Sequence, residues 1–234
     1  MNFHNKVVLV TGAAGNLGRA VAKKFGEAGA SLVLFDIDQK ALDTAYSGQA
    51  QRTLTVSVDL LNQESVGAAV EAALRKFQRI DVLANIAGGF RMGNPVHETP
   101  ADVWRLMMEL NAGTVMHMAH AVVPHMLAAG GGRIINIAAT AGLGGRADMG
   151  AYSASKSAVI RLTESMAAEL REKGINVNCL MPTIIDTPAN RADMPNADPG
   201  RWVSPDALAD VILFLASDAA RAVHGAAIPV AGLS

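Results

Sequence analysis

The sequence predicts an α/β fold, a doubly wound and mainly parallel sheet of seven strands with helices on both faces. Short apolar runs alternate with longer amphipathic stretches along the 234 residues, and several of the runs are continuously apolar. Such runs are typical of strands covered on both faces, and strand–helix alternation produces parallel strands joined by right-handed crossovers. The predicted strands are KVVLV, SLVLFD, TLTVSVD, DVLANIAG, GRIINIAA, INVNCLMP and AAIPVAG, and the predicted helices cover 17–28, 38–48, 62–77, 101–128, 152–172 and 205–216.

Nothing in the sequence divides the chain, so residues 1–234 are predicted to form one domain. The irregular stretch is 190–201, which is rich in Pro, Asp and Asn. It stops before Ser204 and Pro205, a pair that predicts a helix start with a serine cap and proline at the first helical position. A loop of this length late in an α/β domain is typical of a substrate-binding loop, and we expect that role here.

Composition excludes several partners and favours a cytoplasmic location. The net charge is -1 with charges scattered along the chain, so we expect neither a nucleic acid nor a membrane as partner. The N-terminus lacks the features of a signal peptide, and the uncharged run 110–132 contains three His, an Asn and a Pro. Cys179 is the only cysteine and lies in an apolar run, which predicts a buried, inert thiol and no disulfide within the chain.

A glycine-rich motif predicts a Rossmann-type dinucleotide site. The stretch TGAAGNLG follows the first predicted strand and opens a helix, and three glycines allow a pyrophosphate to approach the helix N-terminus: Gly12, Gly15 and Gly18. Asp36 ends the second strand, where an acidic residue holds the adenine ribose. Because Ile37 and Asp38 follow it, with no Lys or Arg, the sequence favours NAD; Arg19 keeps NADP as the lesser alternative.

The predicted chemistry depends on a tyrosine and a lysine. Tyr152 and Lys156 are four residues apart at the start of a predicted helix, so both face the same side. An ammonium beside a phenol stabilises the phenolate, and we therefore expect the pKa of Tyr152 to lie below its ordinary value of about 10. Tyr152 is then the predicted general acid/base for hydride transfer to a carbonyl or imine.

Together these motifs resemble the short-chain dehydrogenase/reductase family from about residue 6 to residue 230. The matching stretches are TGAAGNLG, SVDL, NIAG, ELNAG, YSASK and PTIIDTP. The resemblance implies an NAD(H)-dependent oxidoreductase that acts on a small carbonyl or alcohol substrate. We expect no metal, because no Cys or carboxylate nearby completes a ligand set with the histidines of the predicted helix over 101–128. The resemblance also implies a homodimer or homotetramer, because in related proteins the helix over 101–128 packs against another subunit.

The resemblance assigns roles residue by residue. Tyr152 would donate or accept the proton, Lys156 would orient the nicotinamide ribose, and Asn111 would hold a water of the proton relay. Asp59 would contact adenine, and the segment 182–187 would bind the nicotinamide carboxamide. The cofactor-binding residues implied are Gly12, Gly15, Asn16, Leu17, Gly18, Asp36, Asp59, Leu60, Asn85, Ala87, Gly88, Tyr152, Lys156, Pro182, Ile185 and Thr187.

Several positions depart from the family pattern, and two of the departures are mild: Ile86 stands where Asn is usual, and Thr183 replaces a glycine after Pro182. Asn16 replaces a glycine, and since Asn tolerates a left-handed backbone we expect binding to survive. Ala139 stands thirteen residues before Tyr152, where the family has a serine that hydrogen-bonds the reacting oxygen. Losing one such donor costs about 2.7–4 kcal/mol of transition-state stabilisation. Thr140 would replace it only if the strand ends earlier, because neighbouring strand residues point to opposite faces.

Two alternative functions follow from the missing serine. Dihydropteridine reductases are similar at IAGGFRMG and DTPANRADMPNAD, also lack the serine, and reduce a quinonoid ring. Phe90 would suit such a flat substrate, so Ala139, Thr140 and Phe90 are the candidate substrate residues. The second alternative is a catalytically silent dinucleotide-binding sensor, against which the retained Tyr152, Lys156 and Asn111 argue.

Overall fold

The strands of the computed structural model, which describes residues 1–48 and 52–234, form one sheet. In this part of the chain the sheet has seven strands in the order β3-β2-β1-β4-β5-β6-β7, and every pairing is parallel. The predicted doubly wound fold is confirmed, and the sheet is entirely parallel. The strands are β1 (Val7–Thr11), β2 (Ser31–Asp36), β3 (Thr53–Ser57), β4 (Val82–Asn85), β5 (Gly132–Ile137), β6 (Ile175–Pro182) and β7 (Ala227–Val230).

The helices match the predicted ones except in the middle and late parts of the chain. They are α1 (Asn16–Glu27), α2 (Gln39–Tyr46), α3 (Gln63–Phe77), α4 (Ala101–Met108), α5 (Thr114–Ala128), α6 (Gly150–Leu170), α7 (Pro188–Asp193) and α8 (Pro205–Ala216). The helix predicted over 101–128 is interrupted by a π-helical turn, Glu109–Gly113. Single π-helical turns frequently mark functional sites, and this one carries Asn111.

Polar side chains cap the first turn of several helices, whereas α1 begins without such a cap. Asn62 accepts hydrogen bonds from the first turn of α3, and Ser204 accepts one from Ala207 N at 3.1 Å, as predicted for α8. At α1 the capping position is Gly15, which has no side chain to bond the first-turn N–H groups. A helix N-terminus of this kind favours an anionic ligand.

The core lies on both faces of the sheet. Along β1, Val8 and Val10 pack in the cluster that contains α1 and α8, whereas Val7 and Leu9 pack in the cluster that contains α3, α5 and α6. All four side chains are buried, which is the reason for the continuously apolar strand. The two layers fix the strand ends on which the candidate site is built.

The stretch 190–201 is more regular than predicted. The helix α7 begins before it, and a 3₁₀ turn, Pro199–Arg201, closes it. Thr187 caps α7 by accepting from Asn190 N at 3.2 Å, and Arg191 donates to both carboxylate oxygens of Asp186 at 2.6 and 2.7 Å. These local bonds explain why proline and polar residues here form a short helix. Among residues 1–48 and 52–234, the helices are too short or too polar to cross a membrane.

Candidate active site

The strand order creates a crevice between the carboxyl ends of β1 and β4. These strands are neighbours although β2 and β3 intervene in sequence, and ligands of open α/β sheets bind at such a point. Thr11, the last residue of β1, joins the two ends: its Oγ1 accepts from Ile86 N at 3.0 Å and from Ala87 N at 3.1 Å.

The glycine turn after β1 is compact for identifiable reasons. Gly12 has φ +62°, and a Cβ there would lie 3.0 Å from Ala87 Cα. A Cβ on Gly18 would overlap the carbonyl oxygen of Gly12, so the helix could not pack so closely on the turn. The left-handed residue of the turn is therefore Gly12, and the tolerance of Asn for a left-handed backbone is not used at position 16. Asn16 is the first residue of α1, and its Oδ1 accepts from Arg19 Nη2 at 3.2 Å.

The side of the crevice predicted to hold adenine has two acidic side chains. Asp36 Oδ2 accepts from Ala14 N at 2.9 Å, so this carboxylate is attached to the glycine turn. Asp59 Oδ1 accepts from Leu61 N at 2.9 Å in the turn after β3. The carbonyl of Leu60 is 2.8 Å from His117 Nδ1 on α5, which fixes this turn from below.

Tyr152 and Lys156 lie together on the first turns of α6, as predicted. Lys156 is buried; its Nζ donates to Ile137 O at 2.9 Å and lies 5.9 Å from the centre of the Tyr152 ring. Burial lowers the pKa of Lys156 to about 8. Burial also raises the pKa of Tyr152 to about 12, so the expectation of a lowered tyrosine pKa is wrong for the protein alone. The reason is that loss of water around the phenolate outweighs an ammonium at this distance.

Asn111 joins three segments of the site. Its Nδ2 donates to Gly89 O at 3.1 Å and to Ser155 Oγ at 3.0 Å, and its Oδ1 accepts from Gly89 N at 3.0 Å. Ser155 Oγ in turn donates to Tyr152 O at 2.8 Å. The π-helical turn, the segment after β4 and the first turn of α6 are thus held in one arrangement.

Phe90 follows this clamped segment and covers Tyr152. The two rings meet edge to face with centroids 4.8 Å apart, and Phe90 remains 46% exposed. An exposed aromatic ring against the Tyr152 phenol gives the candidate site an apolar wall.

The residues predicted for the nicotinamide end lie along the end of β6 and the start of α7. Pro182 is the last residue of β6, Ile185 forms a bridge with Val203, and Thr187 caps α7. They form a continuous edge that begins next to β5.

Comparisons with known proteins decide the family. A family model described as short chain dehydrogenase matches residues 6–198. The chain belongs to the short-chain dehydrogenase/reductase family.

Relatives in this family match nearly the whole chain. A cis-4-hydroxycyclohexanecarboxylate dehydrogenase from Sinomonas cyclohexanicum is 37% identical, over 98% of this chain and 96% of the relative. An NAD-dependent glycerol dehydrogenase from Listeria innocua is 36% identical, over 96% of this chain and 91% of the relative. Among solved structures, carveol dehydrogenase from Mycobacterium avium in complex with NAD superimposes with a TM-score of 0.90 at 27% identity, covering 98% of this chain and 97% of that chain. This protein is accordingly an oxidoreductase of the family.

The position of the missing serine has a clear local geometry. Ala139 is buried in extended backbone, and β5 has already ended at Ile137. The sequence predicts that Thr140 replaces the serine only if the strand ends before it. The strand does end before Thr140, which begins a 3₁₀ turn. Its Oγ1 lies 3.5 Å from Pro182 O, which directs the hydroxyl towards β6.

Sequence reasoning missed two groups of this short-chain dehydrogenase site. The YSASK motif assigns no role to Ser155, yet the hydroxyl of this residue links Asn111 to Tyr152. Tyr46 on α2 donates to Ala13 O of the glycine turn at 2.6 Å. No spacing rule signals either contact, because each depends on how two elements pack.

Proposed function

We propose that this protein is an NAD(H)-dependent oxidoreductase that transfers hydride between nicotinamide and a small alcohol or carbonyl substrate, with Tyr152 as general acid/base. The observation that carries the proposal is that the glycine turn and the Tyr152–Lys156 pair, which are distant in sequence, lie next to the same segment of the chain. A Cβ on Gly12 would lie 3.0 Å from Ala87 Cα, and a Cβ on Gly88 would lie 3.3 Å from Lys156 Nζ. Residues 87–88 therefore connect the glycine turn to the Tyr152–Lys156 pair, which supports one dinucleotide serving both.

The residues around the turn fit this cofactor. The uncapped start of α1 accepts the pyrophosphate, and Asp36 accepts hydrogen bonds from the adenine ribose. A 2′-phosphate would meet the carboxylates of Asp36 and Asp38, which supports NAD over NADP, as do the NAD-dependent relative and the NAD complex. The remaining cofactor contacts in the proposal are Asp59 and Leu60 at adenine, Asn85, Ala87 and Gly88 along the crevice, and Pro182, Ile185 and Thr187 at the carboxamide.

The proton chemistry follows from Tyr152 and Lys156. When bound, NAD supplies the hydride acceptor or, as NADH, the hydride donor. With a pKa of about 12, Tyr152 is protonated at neutral pH and donates to the oxygen of a carbonyl substrate in reduction. For oxidation the phenol first gives its proton to solvent water, and the phenolate then accepts the proton of the substrate hydroxyl. Lys156, whose pKa is about 8, is mostly charged at pH 7 and favours the phenolate.

Asn111 acts in this proposal through its contacts with the protein. Both hydrogens of its amide are donated, to Gly89 O and Ser155 Oγ. We therefore propose that main-chain carbonyls of the Glu109–Gly113 turn bind the relay water of the family in place of the Asn111 side chain. Asn111 holds that turn against α6.

The apolar wall favours a cyclic secondary alcohol or the corresponding ketone as substrate. Ala139 offers a methyl group where the family has a hydroxyl, and Phe90 presents its ring beside Tyr152. Two of the relatives named above act on ring alcohols, whereas the third acts on glycerol. The stretch 190–201, carried by α7, would form the outer side of the pocket.

The test is a substrate panel followed by NADH absorbance. The panel contains cyclohexanol, cyclohexanone, glycerol and quinonoid dihydropterin, and Tyr152→Phe is expected to lower turnover about 10²- to 10⁴-fold without loss of NADH binding. Phe90→Ala is expected to lower kcat/KM for the ring substrates about tenfold, whereas Phe214→Ala, on the exposed side of α8, leaves it unchanged. Equal loss on glycerol and cyclohexanol would refute the ring-substrate assignment.

Two results of the same panel would change the functional conclusion. Turnover of the dihydropterin alone, lost in Tyr152→Phe, would support the dihydropteridine-reductase alternative. NADH binding without any turnover would support the silent sensor. The cytoplasmic location and the homodimer or homotetramer remain predictions of the sequence; gel filtration with light scattering tests the latter.

A further inference from the structure

The peptide group between Ala13 and Ala14 is held at both ends by side chains of the next βα unit. Its carbonyl oxygen accepts from the Tyr46 hydroxyl at 2.6 Å, and its N–H donates to Asp36 Oδ2 at 2.9 Å. In addition, Ala13 N donates to Phe35 O at 3.0 Å. Two bonds on opposite sides of one planar peptide prevent its rotation, because a flip would break both.

We propose that Tyr46 is a positioning residue for the dinucleotide site, since its hydroxyl and Asp36 together fix the orientation of the peptide 13–14 within the glycine turn. The proposal rests on the proposed function, in which this turn receives the pyrophosphate. Tyr46 lies at the end of α2 and acts on the ligand only through the turn.

The surroundings of Tyr46 suit this role. The side chain is half-buried against the cluster that contains α1 and β1, so the ring is held while the hydroxyl reaches the turn. Burial raises the pKa of this phenol, and the hydroxyl therefore stays a donor at physiological pH.

The consequence concerns binding and leaves the chemical step unaffected. If the peptide 13–14 is free to rotate, the N–H groups at the start of α1 are no longer arranged before the pyrophosphate arrives. Part of the binding free energy is then spent on ordering the turn. Because Tyr152 and Lys156 are on α6, turnover at saturating cofactor does not change.

The experiment compares Tyr46→Phe with the unchanged protein. NADH affinity is measured by fluorescence titration and ADP-ribose affinity by calorimetry. We expect the variant to weaken both by the same factor, about threefold to tenfold, with kcat at saturating NADH unchanged. An equal factor assigns the effect to the ADP-ribose part that the two ligands share, which includes the pyrophosphate.

A matched control is available on the same helix. Thr44 Oγ1 donates to Lys40 O at 2.8 Å, a bond of the same type within α2 that does not reach the turn. Thr44→Ala is expected to leave both affinities unchanged. If Tyr46→Phe lowers only the melting temperature and leaves both affinities intact, the hydroxyl is merely structural and the inference is wrong.

Failure of the inference is distinguishable from failure of the proposed function. The inference alone is overturned if the wild-type protein binds NADH and turns over substrate while Tyr46→Phe binds NADH and ADP-ribose as tightly as the wild type does. An unchanged protein that binds neither NADH nor ADP-ribose overturns both.

Discussion

Replacing Lys156 by methionine should make the cofactor-free protein more stable at neutral pH and inactive. Lys156 is buried, and burial lowers its pKa from 10.5 to about 8. The folded protein therefore binds this proton less tightly than the unfolded chain does. An ammonium placed in the core destabilises the fold, and methionine removes this charge while keeping an unbranched side chain.

The magnitude follows from the two pKa values. Each pH unit between 10.5 and about 8 corresponds to about 1.4 kcal/mol, so at pH 7 the buried ammonium destabilises the fold by about 3 kcal/mol. Losing the bond from Nζ to Ile137 O costs about 1 kcal/mol, which leaves Lys156→Met about 2 kcal/mol more stable. Between pH 8 and 10.5 the unfolded chain still holds the proton that the folded protein has released. The unchanged protein therefore gains stability as the pH rises, and near pH 10.5 the variant is the less stable by about 1 kcal/mol.

Urea unfolding at fixed protein concentration, from pH 7 to pH 10, measures this crossover. Lys173→Met is the control, since Lys173 is exposed at the end of the 3₁₀ turn Arg171–Lys173. A stability difference for Lys156→Met that does not vary with pH, or a variant less stable at pH 7, would refute the reasoning.

Three further predictions concern Gly88, Ala139 and the two tyrosines. Gly88→Ala puts a Cβ 2.8 Å from Asn111 Oδ1, and thermal unfolding should show that the free energy of unfolding falls by about 1–3 kcal/mol. Gly67→Ala, in open space on α3, should instead raise the free energy of unfolding by about 0.5–1 kcal/mol. Ala139→Ser supplies the missing donor and should raise ketone reduction about 10²- to 10³-fold in NADH assays; an unchanged rate would mean that another donor already acts. The chain has two tyrosines, both with a pKa raised by burial, so an alkaline titration should show no tyrosinate absorbance near pH 10 while the protein stays folded.

The sheet and the arrangement of the main motifs were predictable because they depend on local pattern. A continuously apolar run marks β1, and the glycines of the turn follow β1 directly. The spacing of Tyr152 and Lys156 places both on one side of α6 wherever that helix packs. Each of these inferences needs only neighbours in the chain.

The remaining features depend on tertiary contacts. The π-helical turn around Asn111 could not be predicted, because its stabilising partner Gly89 is 22 residues away. The sequence predicts a lowered pKa for Tyr152 because the nearby ammonium of Lys156 is the only influence on this pKa that the sequence shows. Desolvation by the surrounding fold, which no pattern encodes, decides the direction.

The parallel order of the strands also has a consequence for synthesis of the chain on the ribosome. β1 finds β2 after a short connection, but its other neighbour, β4, is made some seventy residues later, and β5 must then cover β4. Closing such long loops is slow, and the open strand edges are sites of aggregation in the meantime. The residues proposed to hold the phosphates are thus made first, and those proposed to move the proton come much later. A nascent chain therefore presents the turn proposed to bind the nucleotide well before it contains the residues proposed to carry out the reaction.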